Sequence, residues 1–250
     1  MNAAPDVTEV ESTLPRSQAV SQKALVRLNL GCGPNAPAGW LNLDGSWNAW
    51  FSHHPYLRKV LTVSGVIRRN AGAHWKVRPL VHDLTKPLPF ATNSISAIYG
   101  SHVLEHLYRT DAQRLLGECK RVLKPKGMIR LVVPDLHAMV IDYLEKKSHN
   151  GVSAGHKIPA ADQLNDSLGY RSPRPPGGNF LLKLYATWKD FHSHKWMYDS
   201  DSLIHYLLLT GFEEVSERKF RESAIPGIDE VEQGDRVLNG AGVCVEARKP

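Results

Sequence analysis

VRLNLGCGPNAPAGWLNLDGS, from Val26 to Ser46, places two apolar runs of strand length on either side of a Gly-x-Gly turn and ends the second run in an acid. Glycines at 31 and 33 let the backbone turn sharply and come close to a ligand, because no Cβ stands in the way. A Gly-x-Gly by itself marks many ordinary turns. Its weight here comes from register with Asp44, which the second run delivers to the place where an acid accepts both hydroxyls of a ribose. The segment departs from the dinucleotide fingerprint, in which a third glycine opens a helix and the acid follows about 20 residues on. Pro34 and Pro37 interrupt it, and Asp44 arrives early. The crossover is below the dozen or so residues that usually join parallel strands. It is also too short for a helix whose free amides and dipole would hold a pyrophosphate. The segment therefore predicts a nucleoside ligand without phosphates.

Outward from this stretch, apolar runs alternate with helical stretches, the pattern of an α/β sheet with parallel strands. The expected strands are Val26–Leu30, Trp40–Leu43, Val77–His82, Ser96–Tyr99, Met128–Val133, Glu213–Arg218 and Gly242–Ala247. Leu115, Cys119 and Val122 repeat at helical spacing within a helix predicted from Asp111 to Leu123, which Lys124-Pro125-Lys126-Gly127 stops. Leu136, Met139, Val140, Tyr143 and Leu144 repeat that face, and so does Leu203–Leu209, with Asp199/Ser200 as N-cap and Gly211 as C-cap. Two stretches exceed a minimal sheet-and-helix plan and read as irregular lid insertions, at about 45–76 and 148–198. Residues 1–24, rich in Ser, Thr, Gln and Pro, read as a disordered tail, and 25–250 as a single domain.

The 250 residues are 42% hydrophobic and 22% charged, as in ordinary globular proteins, and no apolar run reaches the roughly 18 residues of a membrane span. The formal charge of +6 is scattered apart from short clusters such as Arg68-Arg69, which makes nucleic acid a minor option. Cys32, Cys119 and Cys244 are far apart and odd in number, so neither a disulfide framework nor a thiolate zinc site is expected, and a reducing cytoplasm fits best.

In open α/β sheets ligands bind beyond the carboxyl ends of the strands, where strand order reverses. The strand tips here carry Gly31-Cys32-Gly33, Asp44, His82-Asp83, Gly100-Ser101-His102 and Pro134-Asp135. Asp83 is placed to accept from an adenine amino group, with the Leu84 amide donating to the ring. S-adenosylmethionine meets this description: an adenosine, a small amino-acid carboxylate and a sulfonium.

LNLGCG, LNLD, HDLTKPLPF, SISAIYGSHVLEHL and RVLKPKGMIRLVVPD resemble, in order and spacing, the successive motifs of class I S-adenosylmethionine-dependent methyltransferases. HKWMYDSDSLIHYLLLTGF and the last strand resemble the C-terminal part of a bacterial type 11-like subgroup with a shortened first crossover. The resemblance implies a Rossmann-like seven-stranded sheet, mostly parallel with an antiparallel last strand and helices on both faces. The final hairpin, Phe212–Arg221 and Val243–Arg248, agrees with it. The resemblance also implies that Gly31, Cys32 and Gly33 line the methionine part of the cofactor, Asp44 the ribose, Asp83 and Leu84 the adenine, and Ser101-His102 the sulfonium side.

Methyl transfer from a sulfonium is an in-line displacement that needs alignment first, and for a hydroxyl acceptor a base second. His102, His106, His192 and His194 are the histidine candidates. His106 reads as a packing or capping residue, with Glu105 pairing Arg109. His194, on the second insertion, and His102, next to the cofactor, are the catalytic candidates. Asp135 orients the base, binds a substrate hydroxyl or caps the following helix. A divalent metal on Asp135 and the lid histidines is the weaker alternative, because no compact ligand motif is present, and none is assigned. Trp47, Trp50, Phe51 and Trp188 pack the lid or stack on substrate. The expected acceptor is a hydroxyl of a sugar or related small metabolite. An RNA or protein methyltransferase and a non-catalytic S-adenosylmethionine-binding partner subunit are the alternatives.

Overall fold

A computed structural model describes residues 25–64, 77–149, 158–169 and 193–250. The strands are β1 (Arg27–Leu30), β2 (Leu41–Asp44), β3 (Leu80–Val81), β4 (Ile95–Ser101), β5 (Leu123–Val133), β6 (Glu213–Arg218) and β7 (Val243–Arg248). They form one sheet in the order β3-β2-β1-β4-β5-β7-β6. The pairs from β3 through β5 are parallel, and β7 runs antiparallel to both β5 and β6. The chain starts in the middle with β1, moves outward to β3, and returns to β4 on the other side of β1. That reversal opens a crevice above β1 and β4.

All seven expected strands are present, the sixth with the expected ends and the others with shifted ends. The third shrinks to two residues, and the fifth begins earlier, at Leu123, which pairs with Ile95; a register shift separates that pair from Ala97 and Met128, with Lys126 at φ 64° between them. Among the described residues six α-helices accompany them: α1 (Trp47–His53), α2 (Pro55–Val63), α3 (Arg109–Val122), α4 (Leu136–His149), α5 (Ala160–Ser167) and α6 (Ser200–Thr210). Residues 45–64, expected to be irregular, hold α1 and α2. The Ser46 side chain accepts from the Ala49 amide to start the first, and Pro55 opens the second at the position where its missing N–H costs nothing. Asp199 caps α6 in a capping box with Ser202, and Gly211 ends it at φ 85°. The expected tail, the remainder of the first insertion and most of the second lie outside the described residues.

The pleat divides the core in two. On one face Leu28, Leu30, Leu43, Ile98, Leu131 and Val245 meet Leu115, Leu116 and Cys119 of α3 and Leu203 and Leu207 of α6. On the other, Ala97, Tyr99, Val132 and Cys244 meet Trp40, Ile225, Ile228 and Val231. These last three belong to the β6–β7 connection, residues 219–242, so the pair is no tight hairpin. None of Leu136–Ser148 in α4 is buried, and Leu144 is half exposed, so its apolar residues do not repeat the α3 contact. No helix among the described residues is long and apolar enough to cross a membrane.

Candidate active site

The crossover from β1 to β2 makes its turn without a helix, and polar side chains take the helix's place. Asn29 and Asn42 stand side by side in register. Asn29 donates from Nδ2 to Asn42 Oδ1 (3.0 Å) and to the Asn35 carbonyl (3.1 Å). Asn42 donates to the carbonyls of Pro37 (2.8 Å) and Trp40 (2.9 Å). Asn35 reaches out to the Val231 carbonyl at 2.9 Å and so ties the loop to the β6–β7 connection. Arg27 adds bonds to the carbonyls of Pro226 (2.7 Å) and Gly39 (3.0 Å) while its guanidinium lies over the Trp40 ring. The two asparagines occupy the centres of the LNL triplets, a signal present in the sequence but informative only once the strands are known to be neighbours.

Gly31 and Gly33 both sit at positive φ, 57° and 51°. A Cβ on Gly31 would clash with Val103 Cγ2, whereas one on Gly33 would meet no atom within 4 Å and would fill open space. Asp44, nearly buried, accepts the Gly33 amide on Oδ2 at 2.9 Å and the Ser46 amide on Oδ1 at 2.8 Å, which fixes its carboxylate at the cavity wall. Asp83 accepts both the amide (2.9 Å) and the hydroxyl (2.8 Å) of Thr85 on Oδ1. Partial burial pushes its pKa up, but these two bonds, helped by Lys86, outweigh that and hold it below the ordinary carboxylate value.

Gly31, Gly33, Asp44, Asp83, Leu84 and His102 line a single cavity of about 900 Å³, within the range of small-molecule sites. Trp47, half exposed, stands on its wall beside Ser46 and Asn48. Cys32 and Ser101 face an adjoining cavity of about 500 Å³ that shares Gly31, Pro34 and Arg236 with the first. The Ser101 hydroxyl and the Tyr99 phenol are buried there next to each other. Burial and the Asp44 charge push the Cys32 thiol pKa far up, so it stays protonated.

Arg236, which the sequence did not single out, is shared by both cavities. It comes from the β6–β7 connection, held at the sheet by the Arg130 network. Arg130 is fully buried and spends all five N–H donors: on Glu232 (2.7 and 3.0 Å), on Glu246 (3.1 Å), and on the carbonyls of Glu222 (3.0 Å) and Lys219 (2.8 Å).

The three catalytic candidates are not brought together. His102, at φ 54°, lies on the larger cavity, with Nε2 3.3 Å from the Arg236 carbonyl and Nδ1 3.1 Å from Glu105 Oε1. His194 is absent from that lining; its ring packs against His106 with centroids 5.0 Å apart, and Nδ1 bonds the Leu168 carbonyl at 3.0 Å. Asp135 accepts the His137 amide on Oδ1 at 2.9 Å at the start of α4, and its backbone bridges Tyr198. Glu105 does not pair with Arg109, whose guanidinium lies 5.4 Å from the centroids of both the Trp196 and the Tyr206 rings. His192 and Trp188 lie outside the described residues.

Residues 28–131 match the family model described as a methyltransferase domain. Among solved structures, a methyltransferase from Methanosarcina mazei is 15% identical over 89% of this chain and 91% of its own, with a TM-score of 0.46. One from Thermotoga maritima is 17% identical over 90% and 82% (TM-score 0.45), and one from Archaeoglobus fulgidus 14% over 91% and 87% (TM-score 0.45). The comparison with curated proteins found no match.

Proposed function

We propose, from the premise that residues 28–131 form a class I S-adenosylmethionine-dependent methyltransferase domain, that the protein methylates a hydroxyl of a sugar or related small metabolite. The observation that carries the reading is the single cavity of about 900 Å³ that joins the glycine turn, the two acids and an exposed tryptophan at the point where strand order reverses. A cavity of that size holds a nucleoside cofactor together with a small acceptor.

In this reading Asp44 takes the ribose hydroxyls on the lone pairs left free by the Gly33 and Ser46 amides, and Asp83 and Leu84 take the adenine edge. Gly31, Cys32 and Gly33 border the methionine part, and Ser101 and His102 the sulfonium side. Arg236 meets the cofactor's carboxylate, the task that a helix N-terminus does where the first crossover has one. When bound, S-adenosylmethionine supplies a methyl group already activated by its sulfonium. The chain's own residues then have to hold the acceptor oxygen in line, about 3–3.5 Å from the methyl carbon, and keep water out.

Trp47 offers a flat apolar face of the kind on which sugar rings stack. His102 is the residue read to receive the hydroxyl proton, on Nε2 once that nitrogen has left the Arg236 carbonyl 3.3 Å away. His194 and Asp135 take supporting places in this reading, Asp135 at the tip of β5, where its backbone bridges Tyr198 of the segment that carries His194. The reading places the protein in the cytoplasm, in keeping with three free, buried cysteines.

The test is to incubate the purified protein and labelled S-adenosylmethionine with a small-molecule extract of the source cell and identify the labelled product. A methylated sugar or metabolite hydroxyl is expected. Label found only in RNA, with binding that weakens steeply with salt, or only in protein, overturns the acceptor. Turnover that appears only when a second protein is added overturns the reading of a self-sufficient enzyme.

A further inference from the structure

We propose that Glu105, His106 and His194 form a binding site for one divalent transition-metal ion of the zinc type. One donor atom from each lies within 4.8 Å of the others. Glu105 and His106 belong to the 3-10 turn after β4, and His194 to the segment leading into α6, so the set is invisible as a sequence motif.

Glu105 is the first reason. Its side chain is fully buried, and neither carboxylate oxygen receives a hydrogen bond. His102 Nδ1 reaches ion-pair distance of one oxygen without hydrogen-bond alignment, and Arg109 is engaged with Trp196 and Tyr206. A buried carboxylate normally has hydrogen-bonding partners or coordinates a metal.

The tautomers of the two histidines are the second. His106 Nδ1 faces the Ser193 carbonyl at 3.4 Å, and His194 Nδ1 faces the Leu168 carbonyl at 3.0 Å. A carbonyl only accepts, so Nδ1 carries the proton in each ring and Nε2 carries the lone pair. Metal-binding histidines are held in this way, by a bond from the other ring nitrogen to a backbone carbonyl.

The third is that the backbone segments carrying the donors are held together by the fold. The amides of Lys195 (2.6 Å) and Trp196 (3.3 Å) both donate to the Glu105 carbonyl, which clamps the His194 segment onto the turn. On the other side, a Cβ at Gly169 would lie 2.6 Å from His194 Nδ1, and its φ of 69° favours glycine as well. The Leu168–Gly169 turn therefore closes against the imidazole.

Two imidazole nitrogens and a carboxylate suit Zn²⁺, for which donors at about 2.0–2.2 Å stand roughly 3.4 Å apart in a tetrahedron. The three donors lie within 4.8 Å of one another, so binding requires only side-chain rotation to close that spacing. Three protein ligands leave the fourth position open. Because His106 lines the cavity of about 900 Å³, the ion stands at its wall.

The full-length protein, stripped with chelator, is titrated with Zn²⁺ against a chromophoric chelator, and in parallel with Co²⁺ while its visible absorption is followed. One equivalent of Zn²⁺ is expected, with Co²⁺ bands of tetrahedral intensity. Glu105→Gln, His106→Ala and His194→Ala should each weaken Zn²⁺ binding about 100-fold or more, since loss of a mere supporting residue costs 10–100-fold. His205→Ala, an exposed histidine on α6, should leave it unchanged. Circular dichroism of each variant separates lost ligation from lost fold, and the cobalt spectrum of the unaltered protein gives an answer that needs no variant. The proposal is overturned if the stripped protein binds neither ion, or binds Zn²⁺ no more tightly than folded His194→Ala. Because binding is measured without methyl transfer, it stands or falls apart from the acceptor assignment.

Discussion

On one face of the sheet the contacts are leucine against leucine: Leu28, Leu30 and Leu131 under Leu115 and Leu116 of α3 and Leu207 of α6. On the other face the largest fully buried side chain is Arg130, with Glu232 and Glu246 around it and an irregular connection, residues 219–242, laid across them. The first face gains stability in proportion to apolar area removed from water, a non-directional force that many side-chain arrangements satisfy. The second depends on donors and acceptors matched one to one, where losing a single partner strands a buried charge. That face supplies Arg236 and the loop carbonyls that border the cavities, and the polar groups that hold the connection are also what shape the site.

The largest expected effect tests that contrast directly. Arg130→Met keeps an apolar side chain of similar length but leaves Glu232 and Glu246 buried without a cation. It should cost about 3–5 kcal/mol in urea unfolding, the range for breaking a buried ion pair. Leu207→Ala on the opposite face should cost about 2–5 kcal/mol by creating a cavity. The two should part in their rescue: replacing Glu232 with leucine in the Arg130→Met background should recover part of the stability, because one of the two stranded charges is gone. If Arg130→Met costs under about 1 kcal/mol, or Glu232→Leu makes it worse, the connection is held by something other than charge pairing.

Next in size is Asp44→Ala, which should weaken cofactor binding by about 1–3 kcal/mol, or roughly 5- to 150-fold, the scale for hydrogen bonds to a charged acceptor. Calorimetry with S-adenosylhomocysteine measures it, and an unchanged affinity removes the ribose assignment. Arg236→Ala should lower affinity about tenfold, near the low end for a charge-assisted bond. It sharpens the comparison because it comes from the polar face. Its loss should spare 5′-methylthioadenosine, which lacks the carboxylate, whereas Asp44→Ala should weaken both ligands. Equal losses for the two ligands in Arg236→Ala would show that the residue shapes the loop and does not meet the carboxylate.

The apolar face was legible before the structure because its information is local. Leu115, Cys119 and Val122 repeat at helical spacing, and the alternation in LNL and in IRLVV gives strand and inward face together. The turn at Gly31–Gly33 and the acid at Asp44 were legible for the same reason. What escaped was long-range and polar. Asn29 and Asn42 look like interruptions in two strands until register sets them side by side. Arg130 looks like an exposed strand residue until Glu232, 102 positions away, is brought to it. Arg236 and the Glu105–His106–His194 set likewise combine residues from distant parts of the chain. The misplaced pairing of Glu105 with Arg109 has the same origin: helical spacing favoured it, but Glu105 lies in a 3-10 turn, and Arg109 is drawn to two aromatic rings.

The smallest effect lies on the apolar face, at the outer side of α3, where the contrast predicts that charge adds little. Glu118 accepts from Arg121 Nε and Nη2 (2.8 Å each) and from the Leu88 amide (2.7 Å), tying the β3–β4 loop to the helix. The Arg121 bonds, against partial desolvation and with help from Leu88, hold its pKa below the ordinary glutamate value. A carboxylate with a depressed folded-state pKa contributes stability that is fully present above the unfolded value of about 4.3 and is lost as pH falls through the lower folded value. The difference in unfolding free energy between the unaltered protein and Glu118→Gln should therefore be about 0–1 kcal/mol at pH 7, as for other surface pairs, and should shrink as the pH drops below about 4. A difference that grows in acid would reverse the sign assigned to this carboxylate. One as large as that of Arg130→Met would mean that the α3 face also depends on matched charges, and that the two faces are not held by different means after all.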